Sequence, residues 1–348
     1  MIYDSPRSWR DASRKRVSLF GMSGLGKTRI AAMLRDEAEW FHYSIDFRIG
    51  TRYMGELIAD DFKRHAMKVP LLRELLMTDS VRIESNITFD NLAPLSTYLG
   101  KPGDPARGGL AFHDYKRRQD QHRTAEIAAM LDSGHFITRA REIYGYRHFV
   151  CDTSGSICEV VDPENPDDPV LRALSSLMLP VWIRGTEAHT SELIRRFDQA
   201  PKPMYYQPAF LAAAWEDYGR ENPGAVDPDA FIRWTYARAL AHRRPRYAAM
   251  ARRGVTPDVA RPIMRTNTTA IGAIMVHRNE ADSLICGAVG QFSWHLDFIR
   301  QVLGRDGLDP IGALSMMILQ DEPIFIADTQ VNHDPTPEQV AASAVGAA

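Results

Sequence analysis

The chain holds 348 residues, 45% hydrophobic and 25% charged, with a formal net charge of -2 and a pI near 6.6. That length and balance suit two ordinary domains with buried cores and exclude a disordered or fibrous chain. The near-neutral charge offers no field for nucleic acid or an anionic membrane, and no run of about 18 apolar residues could span a bilayer. No nucleic acid and no membrane partner is therefore expected. The three cysteines, Cys151, Cys158 and Cys286, have no metal or redox spacing and suit reduced thiols in a cytoplasmic protein.

In chain order, "RVSLF" (16–20) and "FHYSIDFRI" (41–49) read as strands. Between Met54 and Gln119 the sequence turns polar, with "LGKPGDPARGG", and marks an insertion over about 54–125 that carries helices and a loop. A helix over Gln121 to Leu131 precedes a third strand in "RHFVCD" (147–152), and "VVDPENPDDP" (160–169) is a surface turn cluster. A fourth strand, "LMLPVWIRG" (177–185), and a helix over Glu187 to Ala200 follow, and "AFIRWTYARALAHRRPRYAAMARR" (230–253) reads as another helix. Alternation of this kind predicts an α/β fold with a mostly parallel sheet covered by helices.

"GMSGLGKT" (21–28), set between the first strand and a helix, fits G-x-x-x-x-G-K-[ST] with Gly21, Gly26, Lys27 and Thr28, and adds Gly24. Glycines let main-chain amides wrap a polyphosphate, and a helix starting at the loop turns its positive end to the anion. Lys27 would reach the β- and γ-phosphates and Thr28 would ligate Mg²⁺. Asp152, closing an apolar run, is the candidate second carboxylate for the metal, and Glu159 is a weaker one. Over about residues 16 to 200 the chain resembles the P-loop NTPases. The resemblance implies ATP and Mg²⁺ as cofactors and a kinase-like phosphotransferase or an ATPase acting on an unidentified small-molecule acceptor. It also implies acceptor-gripping groups after the second strand, where Asp46, Arg48 and Arg52 stand. Lid arginines are implied on a later helix, where Arg195 and Arg196 stand. The catalytic set is then Lys27, Asp152 and Asp46. A nucleotide-dependent binding switch is the alternative use of the same loop.

From about residue 251 the character changes. "PIFIAD" (323–328) reads as a strand and "TPEQVAASAV" as a helix, with Thr336 as N-cap, Pro337 at its first position and Gln339 closing a capping box. The blocks "RRGVTPDVARPIMRTNTTAIGAIMVHRNEADSLICG", "WHLDFIRQVLG", "DPIGALSMMIL" and "FIADTQVNHDPTPEQVA" resemble, in order, the phosphotransacetylase-like domain of bacterial NADP-dependent malic enzymes. This places a P-loop domain over 1–250 and a partial α/β phosphate acetyl/butyryl transferase-like segment over 251–348. The resemblance implies an acyltransferase-like regulatory module, acetyl-CoA as a ligand and association into a homo-oligomer. In "CGAVGQF", Cys286 stands where transacetylases carry serine and Gly290 where they carry histidine. No dinucleotide fingerprint accompanies the segment, so malate oxidation by this chain alone is not expected.

Overall fold

A computed structural model describes residues 3, 6–37, 39–252, 268–278, 280–284, 295, 296, 299, 303, 314–318, 323–327, 337, 340 and 341. The chain divides into two compact units, Met1–Thr256 and Pro257–Ala348.

The first unit is α/β. Helix α1 (Pro6–Asp11) leads to β1 (Arg16–Phe20), α2 (Lys27–Glu37), β2 (Trp40–Ser44) and α3 (Ile45–Arg48). The insertion carries α4 (Gly55–Ala66), α5 (Pro70–Met77) and α6 (Ala93–Leu99), and runs into α7 (Phe112–Leu131) and α8 (Ser133–Glu142). Then come β3 (His148–Asp152), α9 (Ile157–Val160), α10 (Pro169–Leu177), β4 (Leu179–Trp182), α11 (Glu187–Gln199), α12 (Pro208–Glu221) and α13 (Pro228–Arg252). The four strands form one parallel sheet in the order β2-β3-β1-β4.

Side-chain alternation fixes the two faces of that sheet. Val17, Leu19, Trp40 and Val150 pack on one side with Ala31 of α2, while Phe20, Tyr43, Phe149 and Cys151 join the larger core on the other. Both faces are covered, which is why the strands read as apolar runs without a polar side. β1 and β3 are neighbours, and β2 and β4 flank them on opposite sides, so the carboxyl ends of the two central strands open where α/β sheets bind ligands.

Two elements differ from the sequence reading. The second strand stops at Ser44 instead of running to Ile49: the Ser44 hydroxyl accepts the Phe47 N–H at 3.4 Å, and α3 and a π-helical turn, Ile49–Tyr53, follow. Ile45 and Ile49 are fully buried at helical spacing, and a short apolar run does not separate that pattern from a strand. Helix α7 begins at Phe112, nine residues before the expected start, because Gln119, His122 and Glu126 occupy its buried face and blur the apolar period. The "VVDPENPDDP" cluster is a turn with exposed Glu164, Asn165, Pro166 and Asp167. Asp168 closes it by capping α10, its Oδ1 accepting the Leu171 N–H at 2.9 Å.

In the second unit the described residues include a helix, Thr268–His277, and an antiparallel pair, β5 (Leu314–Ile318) with β6 (Pro323–Ala327). The "PIFIAD" run is β6. Thr336, Gln339, Cys286 and Gly290 lie outside the described residues. No helix among the described residues is long and apolar enough to cross a membrane.

Candidate functional site

The turn after β1 is built from backbone that only glycine adopts readily. Gly21, Gly24 and Gly26 have φ of 144°, 85° and 87°. At Gly21 a Cβ would stand 2.4 Å from the Ile183 carbonyl oxygen just beyond β4, so the turn presses against the neighbouring strand's end. Helix α2 opens at once, Ile30 N–H donating to Gly26 O at 2.9 Å, and its unpaired first-turn amides face the turn. Lys27 is 6% exposed and its Nζ donates to Gly21 O at 2.8 Å and Met22 O at 3.1 Å. Burial lowers its pKa, opposed by the nearby Asp152 and Asp46 carboxylates. Thr28 follows it, exposed, in the first helical turn.

Asp152 closes β3 beside this turn, paired in register with Leu19 of β1 on one side and Ser44 of β2 on the other. It is 5% exposed. Asp46 sits in the first turn of α3. Burial raises its pKa to about 6, reinforced by Asp152 and opposed by Lys27. The fold thus gathers Gly21, Gly24, Gly26, Lys27, Thr28, Asp152 and Asp46 at the carboxyl end of three adjacent strands. Among the described residues no group of three or more His, Cys, Asp or Glu side chains could hold a metal by itself. The oxygen donors Thr28 and Asp152 instead suit Mg²⁺, which keeps waters and arrives shared with phosphate.

Arg195 and Arg196, expected as lid residues, are not brought to the turn. Both sit on the exposed side of α11 and are held by Glu192 of the same helix, through Nε at 2.7 Å and 2.6 Å. The residue of α11 that meets the turn is Leu193, 2.6 Å from where a Gly24 Cβ would be. Arg48 grips Asp132 at 2.9 Å, and the Tyr53 hydroxyl donates to the same carboxylate at 2.7 Å, tying α3 to the α7–α8 junction rather than offering an acceptor grip. Arg52 is exposed. Glu159 is 2% exposed and accepts from Arg243 Nε at 2.7 Å, which makes it half of a buried ion pair and not a metal carboxylate.

Sequence reasoning missed the supports of the β3–α9 loop. On one side stands Glu126 of α7, fully buried, accepting from the Ser154 hydroxyl and from Ser156 Oγ at 2.9 Å. On the other, α13 sends Arg243 Nη1 to Gly155 O at 3.2 Å and the Tyr247 hydroxyl to the same oxygen at 2.8 Å. Arg246 Nε donates to Cys158 O at 2.6 Å. The loop so held touches the glycine turn: a methyl group at Gly155 would stand 1.8 Å from Ser23 Oγ and 2.8 Å from Ser23 N. The anchored loop cannot yield, so Gly155→Ala is expected to shift the Ser23 backbone. On the nucleotide reading proposed below, affinity should drop about tenfold or more, while the melting temperature changes by only a few degrees. Titration calorimetry alongside a melting curve checks both.

Burial lifts the Glu126 carboxyl to about 7, opposed by the Ser154 hydroxyl and reinforced by Asp46. Its neighbour His122, pushed down to about 4 by burial, stays neutral at ordinary pH, with Nδ1 3.4 Å from Glu126 Oε2 but without a hydrogen-bond partner among the described residues. A carboxyl with a raised folded pKa contributes stability that is complete below its unfolded value and is lost as pH rises through the folded one. Between about pH 5 and pH 8 this group should cost the fold on the order of 3 kcal/mol. Glu126→Gln should flatten that decline, read by urea unfolding at both pH values. An equally steep fall in the variant would contradict a protonated Glu126.

Comparison with known proteins adds information at the other end of the chain. A family model described as phosphate acetyl/butaryl transferase matches residues 236–348. The NADP-dependent malic enzyme of Salmonella typhimurium is 50% identical over 173 residues, 49% of this chain and 23% of that protein. The Escherichia coli K12 counterpart is 44% identical over 171 residues, 49% of this chain and 22% of that protein. A phosphate acetyltransferase of Nitratidesulfovibrio vulgaris is 29% identical over 100 residues, 28% of this chain and 14% of that protein. The chain thus spans less than a quarter of the length of these curated relatives. No solved structure matches. The C-terminal part therefore carries a phosphate acetyltransferase-like region resembling the malic enzyme C-terminus. The family match starts beyond the glycine turn and lends nothing to the nucleotide reading, which stands on geometry alone.

Proposed function

We propose that the N-terminal unit binds a nucleoside triphosphate with magnesium and uses it as a phosphotransferase or ATPase. The observation that carries this is the placement of Lys27 and three left-handed glycines at a strand-to-helix turn, with Asp152 at the end of the adjoining strand. Main-chain amides of the turn and the start of α2 would hold the phosphates. Lys27 would leave the carbonyls of Gly21 and Met22 for the β- and γ-phosphates. Thr28 and Asp152 would hold Mg²⁺, whose chemistry here is charge neutralisation on the transferring group. Asp46, its pKa raised by burial to about 6, suits accepting a proton from an acceptor hydroxyl. ATP titration and ADP formation, with and without a panel of small hydroxylated acceptors, test this reading. Binding without turnover would leave the binding switch.

A second reading applies to the segment from residue 236 onward: the comparisons favour an acyltransferase-like module there, and we propose that it serves as a regulatory module that binds acetyl-CoA. Acetyl-CoA titration of the whole chain, with sedimentation to follow self-association, tests it. Absence of both binding and any change in mass would reject it.

A further inference from the structure

We propose that His42 is the positioning residue for Asp152, fixing the orientation in which that carboxylate meets the magnesium water shell. The proposal deepens the nucleotide reading and rests on it. His42 lies on β2, and the register pairs His42 with Val150 and Ser44 with Asp152, so His42 and Asp152 share one face of the sheet on adjacent strands. Its side chain is 2% exposed, and neither ring nitrogen has a hydrogen-bond partner. Its ring approaches Asp152, with Nε2 3.7 Å from Oδ2.

A buried imidazole must carry at least one N–H, and burying that donor without an acceptor costs free energy. Nothing in a strand core requires a histidine, so the cost calls for a return. The ring cannot swing out toward water, because Phe89 covers it with centroids 5.1 Å apart and is itself stacked on Phe47 at 4.5 Å. A gap of 3.7 Å exceeds a hydrogen bond, yet a modest rotation of the Asp152 side chain closes it. Once closed, one carboxylate oxygen is taken by His42 and the other is left to the metal's waters. Partners of this kind orient metal-holding groups and typically govern affinity by 10- to 100-fold.

The experiment uses the full chain and reads nucleotide affinity twice, with ADP in EDTA and with ADP plus Mg²⁺. His42→Phe keeps a ring against Phe89 and removes the N–H. His42→Gln keeps a donor. The expected result is about a tenfold loss in Mg²⁺ enhancement for His42→Phe, unchanged affinity in EDTA, and recovery to within about threefold in His42→Gln. His42→Leu carries the same comparison should the phenylalanine variant fail to fold. Unaltered Mg²⁺ enhancement in the apolar variant overturns the proposal, as does an equal loss with and without metal, which marks a merely structural residue. Failure of the unaltered chain to bind ADP at all strikes the nucleotide reading itself and is recognised before any variant is compared.

Discussion

Lys27→Ala is expected to weaken ATP binding about 100-fold and to abolish ADP formation. Lys27 is 6% exposed and its ammonium is held over the turn by two carbonyls of the turn itself, Gly21 O and Met22 O. Exchanging those neutral acceptors for phosphate oxygens replaces ordinary hydrogen bonds with charge-assisted ones, each worth about 1.5–3 kcal/mol. Two such contacts, reduced by the cost of freeing Lys27 from its present partners, leave about 3 kcal/mol, or roughly two decades in affinity. Because Asp152 and Asp46 both act on Lys27, alanine also leaves these carboxylates without their counter-charge and repels an incoming triphosphate further. Calorimetric titration measures the affinity, and an unchanged melting temperature shows that the turn survives. Retained affinity in a folded variant would remove the basis for a phosphate site.

Arg243→Ala should destabilise the N-terminal unit by about 3–5 kcal/mol. Arg243 is 2% exposed and its guanidinium donates to Glu159 Oε1 at 2.7 Å, Gly155 O at 3.2 Å and Tyr205 O at 2.7 Å. Removing it strands a fully enclosed carboxylate with only His242 Nδ1 nearby, at 3.3 Å, together with two carbonyls in a cavity. For a unit of this size the loss corresponds to about 10 °C or more in melting temperature. The double change Arg243→Met with Glu159→Gln should recover most of it, since replacing both partners of a buried pair is far less costly than removing one. Equal melting of the single and double variants would show that the pair is not what holds the β3–α9 loop.

How much of this was legible in the sequence depended on how local each feature is. The glycine turn is one continuous stretch in which strand, loop and helix start carry their own signatures, so Gly21 to Thr28 could be read directly. Asp152 and Asp46 could be read as well, because each follows an apolar strand at a place where parallel sheets open. The arginines could not. Arg48 is claimed by Asp132, 84 residues away, and Arg195 and Arg196 by Glu192 of the same helix, and neither spacing distinguishes a ligand grip from a structural tie. Glu126 and His42 were hidden for the opposite reason: a polar side chain facing inward breaks the pattern used to find buried faces. Glu159 looked like a metal carboxylate until its partner, contributed by α13, was placed.

At the C-terminal end several ordered blocks made the likeness to malic enzyme tails legible, and the family-model match begins ahead of those blocks, at residue 236 inside α13. Tyr236, Ala239, Leu240, Arg243, Tyr247, Ala249 and Met250 of that overlap are all buried in the first unit. Severing the molecule at residue 236 would strip Gly155 and Glu159 of the Arg243 and Tyr247 contacts that hold them, so a fragment that keeps the loop beside the glycine turn in place must run on through Tyr247.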